Sequence, residues 1–224
     1  MDADLRRDGY ALRRNVLEQQ LPSIANLLGT IRTDLRNPAF IREIRPEPLS
    51  SANPNTLSSR HGMGAFPFHT DCAHWEAPAK YLVLYCAAPG SGGRPTLIID
   101  SYRWRWSQSQ KRALCNEVWS RALKRPSLCT IAEETAQGLS LRFDDACMRP
   151  MTRAAAAVGD AVRKQIVRST SLSILWKAGD CLVLDNHRIL HARGNSPRAD
   201  RDRSLKRILI GGGNESVGLQ GLLA

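Results

Sequence analysis

The residues best able to do chemistry are five histidines in two groups, His61, His69 and His74 in the first and His187 and His191 in the second. In FPFHTD (66–71), His69 and Asp71 stand two residues apart on a predicted strand, so their side chains leave the same face about 6.6 Å apart along the chain. An imidazole and a carboxylate so placed can converge on one metal ion, and a further ligand has to come from elsewhere. The second histidine group lies on another predicted strand, in GDCLVLDNHRILHARG (179–194). Two imidazoles and one carboxylate make the facial triad that holds non-haem Fe(II) and leaves three coordination positions open. A bare HxD tripeptide is common and by itself reads as a hydrogen-bonded surface pair, so the surrounding sequence decides.

Short apolar runs at 66–70, 80–88, 96–100, 139–143, 172–176, 181–185, 189–193 and 205–210 are bounded by Gly, Pro, Asp or Asn, and several alternate with period two. These are the marks of strands with one buried face. Helical patterns interrupt them at 108–124 (Leu114, Val118, Ala122) and 152–168 (Ala154, Val158, Ala161, Val162, Ile166). Eight short strands in hairpin-spaced pairs with two inserted helices predict a mainly β fold with flanking helices, a double-stranded β-helix or jelly roll. The expected organisation is one domain over 1–224: a helical region in 1–45, a polar loop over 46–64 placed to cover a site, a core over 65–211 and a tail over 212–224. Within the first region, Leu17, Leu21, Ile24 and Leu28 predict one or two helices over 10–36, restarted at Pro22.

The 224 residues carry 42% apolar and 24% charged side chains at a mean hydropathy of −0.33, which excludes both a disordered tail and a membrane protein. A chain of this length buries about 70% of its unfolded surface without cross-links. Six scattered cysteines form no CxxC pair, and the start MDADLRRDGY has no apolar signal segment, so a cytoplasmic location is expected. The net charge of +11 points toward nucleic acid, and its densest basic stretch is 188–207.

With these segments in order, the sequence resembles the Fe(II)- and 2-oxoglutarate-dependent dioxygenases of the taurine dioxygenase-like family, which includes clavaminate synthase relatives. The resemblance runs from about Phe66 to Gly211 through FPFHTD, EAPAKYLVLYC (76–86), GGRPTLIID (92–100), GDCLVLDNHRILHARG and RSLKR (203–207). It implies His69 and Asp71 as metal ligands, and His191 as the distal ligand, because Asp185, Asn186 and Leu190 fix the register. His187 is then a hydrogen-bonded or partly exposed histidine near the site. It further implies that Arg203, with Thr96, binds the distal carboxylate of 2-oxoglutarate, a pairing suited to a guanidinium fork. Arg201 is the rival for that role, and the R-xxx-R spacing of Arg203 and Arg207 favours Arg203.

The implied reaction uses Fe(II), 2-oxoglutarate and O2, releases succinate and CO2, and by default hydroxylates an unactivated C–H bond. Asp71 is retained where related halogenases carry a small residue, so oxygenation is expected, with desaturation and ring closure using the same triad. Arg207 either binds an anionic substrate group or packs against Asp185 or the metal carboxylate as a support. His74 either contacts substrate or is a loop histidine beside the site. The expected partner is a small metabolite, anionic or amino-acid-like, free or carrier-tethered, with no membrane; the oligomeric state is left open.

Two rivals come from other classes. Arg103-Trp104-Arg105-Trp106 interleaves charge and aromatics as a nucleic-acid stacking platform does, though a half-buried strand end gives the same pattern. The other rival is a non-catalytic jelly-roll binding module, whose sign would be an incomplete triad.

Overall fold

A computed structural model describes residues 1–33, 39–54, 56–121, 127–198 and 200–212. The tail over 213–224 and the Ala122 end of the predicted 108–124 helix lie outside the described residues.

Helix α1 (Asp2–Asp8) ends at Gly9, whose φ of 75° is the left-handed conformation that stops a helix. A side chain there would also collide with Arg188, 2.8 Å from the Cβ position. The chain can therefore turn directly into strand β1 (Tyr10–Arg13), where helix was expected, before α2 (Leu21–Leu28). Strands β2 (Ile31–Arg32) and β3 (Arg42–Ile44) follow, then helix α3 (Ser58–His61). Next come β4 (Phe66–His69), β5 (Tyr81–Ala88) and β6 (Thr96–Asp100).

An insertion then carries helix α4 (Gln108–Asn116), strands β7 (Trp119–Arg121), β8 (Ser127–Cys129), β9 (Ala132–Thr135), β10 (Gly138–Leu141) and β11 (Met148–Pro150), and helix α5 (Arg153–Arg168). Ser107 starts α4 with a capping box and Thr152 caps α5 by accepting from the Ala155 N–H. The C-terminal strands are β12 (Leu172–Ile174), β13 (Cys181–Asp185), β14 (Ile189–Arg193) and β15 (Ser204–Ile210).

All eight apolar runs fold as strands, but they do not make the expected jelly roll. The described strands form four separate sheets, of six, four, three and two strands, and none closes on itself. The architecture is mixed α/β. The larger sheet runs β1-β13-β5-β15-β2, with β3 also on β15; the smaller runs β12-β6-β14-β4. The physical reason is at the edges. N-terminal strands β1, β2 and β3 occupy both margins of the larger sheet, and no ladder joins them to β12 or β4 among the described residues.

The two sheets face each other. Leu82, Leu84, Leu182, Leu184, Leu205 and Leu209 of the larger pack against Ile98, Ile174 and Ile189 of the smaller. The alternate residues Val83, Val183, Ile208 and Ile210 turn the other way, onto Leu5, Leu21 and Ala25 of the N-terminal helices. Ile99 and Leu190 likewise turn outward onto Trp119, Phe143, Val158 and Val162 of the insertion. With both faces of each sheet covered, the central strands read as continuous apolar runs.

Candidate metal centre and anion pocket

Strand register alone brings two of the predicted ligands together. His191 on β14 is paired with His69 on β4, which places both side chains on the inner face of the smaller sheet. Asp71 follows two residues later on the same face, just before the chain turns at Cys72 with φ 59°. The ring centroids of His69 and His191 lie 4.4 Å apart. The ligand atoms of His69, Asp71 and His191 all fall within 4.8 Å of one another, and all three residues are buried.

Their surroundings suit a cation. The Nδ1 of His69 lies 3.1 Å from the Pro67 carbonyl, which can only accept, so the proton belongs on Nδ1 and the Nε2 lone pair is turned toward the cluster. Burial, then the neighbouring His69, pushes the His191 imidazole down to about 3, so it is a neutral ligand at neutral pH. Burial works against the Asp71 carboxylate, but the Arg207 guanidinium beside it holds it well below the usual range. A buried anion beside two imidazoles is the donor set that a divalent ion completes.

Asp71 is fixed by its backbone. Asn186, in the turn between β13 and β14, accepts from the Asp71 N–H at 2.7 Å and donates to the Asp71 carbonyl at 2.9 Å and to that of Ala79 at 2.8 Å. The facing sheet supplies Arg207, whose Nη1 donates to Asp71 Oδ2 at 2.9 Å. Of the partners open to Arg207, it is the Asp71 carboxylate that accepts its hydrogen bond.

Around the position expected to bind 2-oxoglutarate, three arginines are buried, Arg94, Arg193 and Arg203. Arg203 is 3% exposed, and its Nε is buried without a hydrogen-bond partner. Burial, with Arg94 beside it, pushes its guanidinium down to about 10, even though Asp200 favours the charge. Arg94 donates to Asp200, Gly194 and Met63, and Arg193 donates to the carbonyls of Gly62 and Gly64. The end of the 46–64 loop is thereby tied to the cluster. Thr96 pairs with Arg193 across the sheet and accepts from Trp176 Nε1 at 3.0 Å, which leaves its hydroxyl hydrogen to donate elsewhere.

The converging donor group does not include the other sequence candidates. His187 points its Nε2 at the Pro78 carbonyl, 3.5 Å away, and is not among the converging donors. His74 lies edge-on to Trp75 at 6.4 Å, and Arg201 is exposed. Trp104 is buried and donates to Ser169 Oγ, with Trp106 edge-on to it at 5.9 Å, so this pair is core rather than a stacking platform. Sequence reasoning missed the roles of Asn186 and Arg193. Arg193 was findable, since it stands two residues after His191 and so shares its face.

Fold and site together give a scaffold of two facing sheets that carries a buried His-Asp-His cluster. The structure superposes on asparagine oxygenase with a TM-score of 0.74 at 19% identity, covering 94% of this chain and 77% of that one. It matches the non-heme iron oxygenase OrfP, in complex with Fe and alpha-ketoglutaric acid, equally well, with a TM-score of 0.74 at 19% identity over 93% of this chain and 77% of that one. No family model matches the sequence. A 3-((Z)-2-isocyanoethenyl)-1H-indole synthase from Fischerella ambigua is 25% identical over 178 residues, 66% of this chain and 63% of that protein. The chain thus spans less than two thirds of that relative's length.

Proposed function

We propose that the protein is an Fe(II)- and 2-oxoglutarate-dependent oxygenase of a small metabolite, resembling the taurine dioxygenase-like enzymes. The observation that carries this reading is the convergence of three buried donors, His69, Asp71 and His191, in the cleft between two sheets. These three hold the iron, and Arg203, with Thr96, receives the distal carboxylate of 2-oxoglutarate. When bound, iron and 2-oxoglutarate together supply the O2-dependent oxidation of a C–H bond, with succinate and CO2 released.

The chain's own residues do the rest. Pro67 sets the His69 tautomer, Asn186 fixes the Asp71 backbone and Arg207 orients its carboxylate. The apolar walls of the facing sheets exclude water from the reacting bond. The orphaned Arg203 Nε supports the carboxylate assignment, since a buried donor without a partner is costly and a ligand carboxylate relieves it. Hydroxylation is the expected outcome because Asp71 is present.

Incubation with Fe(II), 2-oxoglutarate, O2 and a panel of amino acids and other anionic metabolites tests the proposal. Substrate-stimulated succinate is expected from the wild type and none from Asp71→Ala; succinate at the level of free iron throughout the panel contradicts it.

A further inference from the structure

The inner face of the larger sheet carries three arginines opposite the metal cluster, and two of them have no part in the site described above. Strand β15 has one edge on β5, so β2 and β3 share its other edge. Arg42 on β3 is directly opposite Arg207, and Arg32 on β2 is directly opposite Leu209. Directly opposed residues point to the same face, with Cβ atoms about 5 Å apart. Leu209 packs in the inter-sheet core, as does Ile44 two residues after Arg42, which fixes that face as the inner one. Arg32 and Arg42 therefore stand about 6.6 Å apart along one edge, with Arg207 beside them.

The Arg32 guanidinium sits 5.3 Å over the Trp75 ring, in the segment that follows Asp71, so the patch overlooks the candidate site. Gly211 makes room for it, because a Cβ there would meet Arg32 Cδ at 2.9 Å. Like charges directly opposite each other destabilise a sheet, yet Arg42 faces Arg207. Asp71 accepts from Arg207, and Glu43 lies on the other face, held by Ser204 and Arg45. Among the described residues Arg42 makes no ion pair and no side-chain hydrogen bond, so the patch carries more positive charge than its neighbours offset.

We infer that Arg32 and Arg42 are specificity-determining residues that receive an acidic group of the substrate, a carboxylate or a phosphate ester additional to any group bound by Arg207. The inference rests on the proposed oxygenase site. It also sets this chain apart from its structural neighbour OrfP, whose complex holds (3S)-hydroxy-L-Arg: a guanidinium on this face would meet three like charges.

Isothermal titration of the full chain, saturated with Zn(II) and 2-oxoglutarate so that the Arg203 pocket is filled, tests this with three probes: L-glutamate, O-phospho-L-serine and L-arginine. At least one acidic probe should bind, and L-arginine about tenfold more weakly or not at all. Preference between the acidic probes assigns the group as carboxylate or phosphate. Arg32→Gln and Arg42→Gln should each weaken that probe about tenfold, while Arg42→Lys keeps it within about threefold. Arg42→Gln should melt at or above the wild-type temperature, since it relieves a like-charge pair. L-arginine binding as tightly as the acidic probes, no acidic probe binding, or unchanged affinity in both glutamine variants would overturn the inference. Zinc and 2-oxoglutarate uptake in the same titrations reports on the oxygenase reading separately.

Discussion

His69, Asp71 and His191 differ in what holds them. The Pro67 carbonyl sets the tautomer of His69, and Asn186 and Arg207 fix Asp71, whereas His191 Nδ1 is buried without a partner. Orientation of His191 thus depends on packing and on the ion it would bind. Fe(II) binding should be lost in His191→Ala and kept in His187→Ala, measured by equilibrium dialysis; the reverse result would mean that the ligand register has slipped. In the second pocket, Arg203→Ala should weaken 2-oxoglutarate by about tenfold or more, because a charge-assisted fork is lost, while Arg201→Ala leaves it within a factor of about two. Equal effects of the two variants would remove Arg203 from the pocket. The HxD spacing on one strand made His69 and Asp71 legible as a pair that shares a face, whereas His191 and Arg203 were implied by the resemblance to the dioxygenase family. The exact partner of Arg207 was not legible, because it is reached across the inter-sheet gap from residue 207 to residue 71.

At the scale of elements, the site depends on how β4, β14 and the β13–β14 turn are locked together. Asn186 donates to two carbonyls and accepts one N–H, all buried, and no other amino acid of its size can do all three. Asn186→Asp keeps the acceptor and loses both donations, so it should destabilise the fold by about 2–4 kcal/mol in urea melts and weaken metal binding as well. Unchanged stability and metal affinity would show that Asp71 is positioned by other means. The central strands themselves follow from composition. Leu182 is fully buried between β1 and β5, and Leu182→Ala should cost about 2–5 kcal/mol without moving the ligands. Eight strands and α5 were legible because their apolar periods are clear. Strand β1 was not, because Tyr10–Arg13 is a four-residue edge strand defined by pairing with β13 rather than by its own pattern, and Gly9 was its one local signal.

For the whole molecule, the net charge of +11 has been redistributed by the fold. Of the dense basic stretch 188–207, Arg188, Arg193 and Arg203 are buried, and Arg207 serves Asp71. Arg188 binds Asp100 and the carbonyls of Arg6 and Arg7, tying α1 to the smaller sheet. Three of the seven basic residues in that stretch are interior rather than on a phosphate-binding surface, and affinity for generic DNA should be weak with a shallow salt dependence. Steep salt-dependent binding would restore the nucleic-acid reading. No described helix is long and apolar enough to cross a membrane. The double-stranded β-helix expected from strand spacing failed at this scale, because the joining of sheets depends on which edges meet, and the N-terminal strands occupy the margins of the larger sheet. The proposed activity requires that the three buried donors and Arg203 together hold iron with 2-oxoglutarate. Its most direct test is the visible spectrum of the protein mixed with Fe(II) and 2-oxoglutarate without oxygen: a metal-to-ligand charge-transfer band that His191→Ala lacks is the expected result, and a wild-type spectrum with no such band would contradict the account.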